Sequence, residues 1–182
     1  MDLKEKYLTK IKEEKIFVDI CCDHYEETDF GFIIDFNDEF LFLETFDTNS
    51  NPDGLVIFFQ KNISRIRWEG NEISSAAHLI DHSKRIQSIA TIDLSSVENI
   101  LRDLSAMYGY VTVHIQDLDQ GVCFIGEIHE MDEDTIILYE FGSKISLDRK
   151  FIMISLDDIT RIEVGGMYEN GLKRLIEEKI IK

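Results

Sequence analysis

Two histidines one helical turn apart, His78 and His82, form the spacing in this chain closest to a metal-binding pattern. Imidazoles so placed can converge on zinc, which takes three or four nitrogen, sulfur or oxygen ligands in a tetrahedron. No glutamate follows His78, so the metalloprotease arrangement is absent, and the simpler reading is a solvated helix face. Cys21-Cys22-Asp23-His24 gathers four further candidate ligands. Neighbouring strand residues point to opposite faces, so Cys21 and Cys22 cannot grip one ion without a bulge; one buried and one surface cysteine is the expectation. Cys123 could form a nucleophilic pair with His114 or His129, but nothing in the pattern orients them. There is no glycine-rich phosphate loop and no Gly-x-Ser-x-Gly element. The residues therefore predict no catalytic set, no metal site and no cofactor.

A second set of residues suits contact better than catalysis. Asp38-Glu39 and Asp132-Glu133-Asp134 fall in equivalent turns, with Asp35 just upstream of the first. Paired carboxylates do acid–base work or bind calcium only when buried or convergent, and a tight turn between strands is exposed. Turn chemistry and solubility account for them; the functional alternative is a pair of acidic knobs facing a basic partner. Arg65 and Arg161 are the basic residues that repeat in register, each in an Ile-x-Arg-Ile strand, and are expected on the surface beside carboxylates. Trp68 has Val164 as its counterpart; it is expected to cover the junction between the halves or to serve as a contact residue. The predicted partner-binding set is Asp35, Asp38, Glu39, Arg65, Trp68, Asp132, Glu133, Asp134 and Arg161.

Charge narrows the partner. Among 182 residues, 36 are acidic and 19 basic, a formal charge of −17. Affinity for nucleic acid comes largely from Lys and Arg displacing counterions, so this balance argues against a phosphate backbone and against an anionic membrane. It favours encounter with a basic protein. Hydrophobic residues at 44% and charged residues at 30% describe a globular chain rather than a disordered one. No apolar run approaches the roughly 20 residues that span a bilayer. The first residues are charged, with no signal-peptide core, and three cysteines, two adjacent, make no disulfide framework; a cytoplasmic location is expected.

The elements that would position these residues occur twice. Gly31 to Leu43 returns as Gly126 to Leu138, and Ile63-Ser64-Arg65-Ile66-Arg67 returns as Ile159-Thr160-Arg161-Ile162-Glu163. Such an internal repeat predicts two similar units, 1–88 and 89–182. In the first, Asp2 caps a helix to about Lys15, and strands are predicted at 16–22, 31–36, 40–46, 55–59 and 63–68. A helix from Ile73 to about Ile86 closes it. In the second, Ser95 or Ser96 caps a helix to Met107 that Gly109 ends. Strands follow at 110–115, 122–131, 135–141, 151–155 and 159–164, and a helix from Met167 to Ile180 closes the chain. Gln87 to Asp93 joins the units and is apolar enough to pair as a strand. Five short strands with tight turns usually bend into a small barrel, which hides the sheet edges, so the fold class is mainly β (α+β): two tandem five-stranded small barrels with flanking helices.

This pattern resembles the Sm-like proteins (the Sm, LSm and Hfq group), or more loosely the SH3-like small barrels. The first Sm motif, a glycine in the second strand, an acidic turn and an apolar third strand, is similar to Gly31 with Phe36 to Leu43 and to Gly126 with Met131 to Leu138. The second motif, a short junction between the fourth and fifth strands, is similar to Gln60 to Ile66 and Ser155 to Ile162. The resemblance implies rings closed by pairing of strand edges between subunits, one such interface lying within this chain. It also implies RNA contacts from a polar residue after the acidic turn and from an arginine–glycine pair. Phe40-Leu41 and Thr135-Ile136 stand in the first place, Asn62-Ile63 and Asp158-Ile159 in the second, so that signature is missing from both units. The expected function is a non-enzymatic cytoplasmic protein-binding module, an acidic inhibitor or immunity-type protein acting as a monomer or small homo-oligomer. The alternative is a divergent Sm-like RNA-binding regulator.

Overall fold

The computed structural model describes residues 2–86, 91–144 and 148–178. The chain divides into two compact units, Met1–Ala90 and Thr91–Lys182. Residues 87–90 of the expected joining strand, and Ile180 of the expected last helix, lie outside the described residues.

In the first unit the Asp2 carboxylate accepts the Glu5 amide at 2.8 Å and so opens α1 (Leu3–Glu13). Five strands follow: β1 (Phe17–Cys22), β2 (Glu27–Phe36), β3 (Phe40–Phe46), β4 (Pro52–Phe59) and β5 (Arg65–Trp68), then α2 (Asn71–Leu79). The strands run antiparallel in the order β5-β1-β2-β3-β4. β1 and β3 are buried along their whole length. The reason is cover on two faces. Leu8 and Ile11 of α1 join Ile20, Leu41, Leu43 and Phe58 in one cluster, while Ile73 and Ile80 meet Phe17, Phe32 and Phe46 in another.

This double cover corrects the expectation for the cysteines: Cys21 and Cys22 are both buried. Cys22 belongs to the first cluster, and Cys21 accepts the Thr28 hydroxyl at 3.6 Å. The helix expected to reach Ile86 also stops early, because Ile80 turns extended. Asp81 then caps a 3-10 turn, His82–Lys84, by accepting the Ser83 amide at 3.1 Å. His78 and His82 therefore do not share a helix face.

The second unit repeats the order: α3 (Val97–Tyr108), β6 (Val111–His114), β7 (Cys123–Met131), β8 (Thr135–Glu140), β9 (Phe151–Ser155), β10 (Arg161–Val164) and α4 (Met167–Glu177). Ser96 accepts the Asn99 amide to start α3, and Gly109, at φ 77°, ends it. The strands pair antiparallel as β10-β6-β7-β8-β9. α4 packs Leu172 onto Tyr110, Ile125 and Phe141. The buried Tyr110 hydroxyl locks it there, accepting the Gly165 amide at 2.9 Å and lying 3.1 Å from Asn170 Oδ1. Burial pushes that phenol up to about 12.

The repeated glycine has the same physical cause in both units. A Cβ on Gly31 would stand 2.0 Å from the Glu44 carbonyl oxygen, and one on Gly126 would stand 2.6 Å from that of Tyr139. Only glycine lets the next strand approach so closely. Two residues on, the ladder shifts register in each unit, between Ile33 and Asp35 and between Ile128 and Glu130. Bulges of this kind bend a strand and increase its twist.

The molecule is thus mainly β, with four helices among the described residues and an open antiparallel sheet. Closed barrels were expected. Within each unit, however, no ladder among the described residues joins the fourth strand to the fifth. A 3-10 turn, Gln60–Asn62 or Leu156–Asp158, carries the chain off the fourth strand, and the four-residue fifth strand pairs with the first instead. No helix among the described residues is long and apolar enough to cross a membrane.

Candidate functional site

The first acidic turn is built by its asparagine. Asn37 Oδ1 accepts the amides of Glu39 at 2.9 Å and Phe40 at 2.7 Å, and the Asn37 amide donates to the Phe40 carbonyl. Asp38 and Glu39 are left exposed, and among the described residues neither carboxylate has a hydrogen-bond or ion-pair partner. Asp35, at the bulge, is engaged: it accepts Lys12 Nζ at 2.7 Å and its neighbour's amide at 2.9 Å, tying α1 to β2.

A groove of about 370 Å³ lies beside this turn, lined by Asp2, Lys4, Glu5, Phe36, Asp38 and Gln60 among others. Gln60 is the unusual member. It is only 7% exposed. Its amide nitrogen donates to the backbone carbonyls of Asn37 and Phe40, which fixes which end of the side chain faces the turn. Its Oε1 is buried and, among the described residues, accepts no hydrogen bond. An acceptor in that state typically costs about 1–3 kcal/mol.

The second unit builds the same turn with a different residue. Asp132 Oδ1 accepts the amides of Asp134 at 3.0 Å and Thr135 at 2.8 Å, so this carboxylate does the work of Asn37. Glu133 and Asp134 remain exposed. At the Gln60 position stands Leu156. The backbone bond is the same in both units, Gln60 N to the Glu39 carbonyl at 2.7 Å and Leu156 N to the Asp134 carbonyl at 2.8 Å. A groove of about 240 Å³ in this unit is lined by Arg102, Ser105, Ile128, His129, Glu130 and Met131, and its lining includes neither the turn residues nor Leu156.

The two in-register arginines also part ways. Arg65 is exposed and pairs with Asp23 at 2.9 Å, as a surface cation would. Arg161 is 8% exposed and pairs with Glu163, two residues along its own strand, which also lies 3.2 Å from His114 Nε2. Burial alone would raise the Glu163 carboxyl, but the Arg161 guanidinium and His114 outweigh it and hold it down at about 2. In the first unit the position of Glu163 is taken by Arg67, whose partner is the buried Asp19 on β1, with Nε at 3.0 and 2.9 Å from the two carboxylate oxygens. Trp68 packs on the first unit's own core and lies 5.8 Å, ring to ring, from Tyr7.

Cys123 stands directly opposite His114 on the β6–β7 ladder. Desolvation and the carboxylates of Glu163 and Glu169 push its thiol up to about 11, away from the thiolate a nucleophile needs. Among the described residues no three His, Cys, Asp or Glu side chains are grouped so as to hold a metal. Of the predicted contact residues, only Asp38 lines the groove, with Asp35 and Glu39 close by in sequence. Gln60 was missed, although the repeat held the signal: a polar residue where the sister unit has leucine.

No family model, no curated protein and no solved structure matches this chain.

Proposed function

We propose that this chain is a non-enzymatic, cytoplasmic protein-binding module that occupies a basic, nucleic-acid-binding face of another protein, in the manner of an acidic inhibitor or immunity protein. We read its two units as divergent Sm-like small β-barrels, on the strength of the repeated glycine, bulge and acidic turn and the strand order 5-1-2-3-4 within each unit. The observation that carries the functional reading is the state of the turn carboxylates. Asp38 and Glu39 are held by an Asn-based turn, exposed and without a side-chain partner among the described residues, on a chain of charge −17. Charge fixed in place and unspent within the fold steers and orients a cationic partner. The raised Cys123 thiol and the burial of Cys21 and Cys22 support a non-catalytic role, and three free thiols suit a reducing compartment.

The test is affinity capture from the native cell with the intact protein and with Asp38→Asn/Glu39→Gln/Glu133→Gln/Asp134→Asn. A basic protein recovered by the first and lost with the second is expected. Recovery of no protein at either low or high salt overturns the reading. Retention of U-rich or A-rich RNA on a filter at about 50 mM salt, where phosphate contacts are strongest, would favour the RNA-binding alternative.

A further inference from the structure

We propose that the groove beside the first acidic turn is an arginine site: it takes the guanidinium of one arginine from the basic partner, with Gln60 Oε1 and the Asp38 carboxylate as acceptors. The proposal rests on the protein-binding reading above and names where, and by which side chain, the partner is held.

Three observations converge. Gln60 is more than nine-tenths buried, lines the groove and carries an acceptor oxygen with no donor, while its nitrogen is committed to two backbone carbonyls. The fold does not require that polarity, because Leu156 fills the same place in the second unit with the same backbone hydrogen bond. The groove also carries net negative charge: Asp2, Glu5 and Asp38 line it against one lysine, Lys4, and Asp38 has no partner among the described residues. A buried neutral acceptor beside an exposed carboxylate asks for a donor with several N–H groups in a fixed plane. Guanidinium supplies such a fork and sheds water more easily than an ammonium, so arginine fits where lysine would act only as a point charge. The Phe36 side of the groove suits the flat, weakly hydrated face of the same group.

The experiment measures binding of nona-arginine and nona-lysine peptides to the full chain at about 150 mM salt, with amide shifts read in parallel. Nona-arginine should bind about tenfold more tightly than nona-lysine, with the largest shifts at Asn37, Asp38 and Gln60. Gln60→Leu, which installs the sister unit's residue and leaves net charge unchanged, should bring the arginine peptide down to the lysine peptide's affinity. Glu133→Gln, which removes a charge from the other unit, should leave the preference intact. Equal, salt-sensitive binding of both peptides overturns the arginine site and leaves the acidic-module reading standing, as does a preference that survives Gln60→Leu. Binding of neither peptide overturns both.

Discussion

The two units share a backbone and differ in how they spend their polar groups. Both bend the second strand with a glycine and a bulge, both make a three-residue acidic turn, and both leave the fourth strand through a 3-10 turn. The first keeps Arg65 at the surface, ties the buried Asp19 of β1 to the exposed Arg67 of β5, and places Gln60 under its turn. The second buries Arg161 against Glu163 and His114 and fills the Gln60 place with Leu156. Each unit is the other's control. Where both agree, the residue serves the fold. Where one carries a buried polar group that the other does without, the shared backbone does not require it.

The largest effect should fall on what the units share. Gly31→Ala drives a Cβ into backbone at 2.0 Å and should cost about 3 kcal/mol or more, enough to lose the fold in a marginal domain. Gly126→Ala, with 2.6 Å to the nearest atom, should cost less. Urea melts of the two variants check the order, and equal losses would break the parallel between the two bends.

Next comes the second unit's buried Arg161–Glu163 pair, at whose positions the first unit has Arg65 and Arg67. Glu163→Gln leaves Arg161 buried without its counter-charge and should destabilise by about 3 kcal/mol at neutral pH. Because the folded carboxyl sits near 2, below the ordinary 4.5, its contribution is complete above about pH 4.5 and fades as pH falls toward 2. The gap between variant and native protein should therefore shrink over that range when melts are repeated in acid. A gap that widens in acid would show that Glu163 is not held down.

Smaller and equal effects belong to the turns. Asn37→Ala and Asp132→Ala each remove an acceptor for two amides and should each cost about 1 kcal/mol. Unequal costs by thermal melting would mean that one turn is braced elsewhere. Smallest of all is Gln60→Leu, expected to change stability by less than about 1 kcal/mol, because losing the donations to Asn37 and Phe40 is offset by removing a buried acceptor that has no donor among the described residues. A large loss there would return Gln60 to the fold and break the contrast with Leu156.

Much of this comparison could be read from residue order. The start of α1 at Asp2 and of α3 at Ser96, and the αL stop at Gly109, follow from local capping chemistry and stand within a residue or two of expectation. β3 and β9 match their expected ranges, because a short apolar run closed by turn residues has few alternatives. The early stop of α2 was not legible: it depends on Ile80 reaching the Phe17–Phe32–Phe46 cluster, a contact made across the unit. Nor was Glu44, an acidic residue inside an apolar strand. It is buried and gripped by Arg85 at 2.6 and 2.9 Å, a partner 41 positions away.

Sequence alone determined the repeat, the glycine at each bend, the acidic turns and the sign of the surface, because these depend on neighbours along the chain or on simple counts. Tertiary structure decided which charges are available. Arg65 and Arg161 are equivalent by alignment, yet one pairs with Asp23 at the surface and the other is buried against Glu163, since exposure depends on what packs across the strand. The same holds for Gln60: its type was visible from the start, but only folding buried its oxygen and left it without a donor.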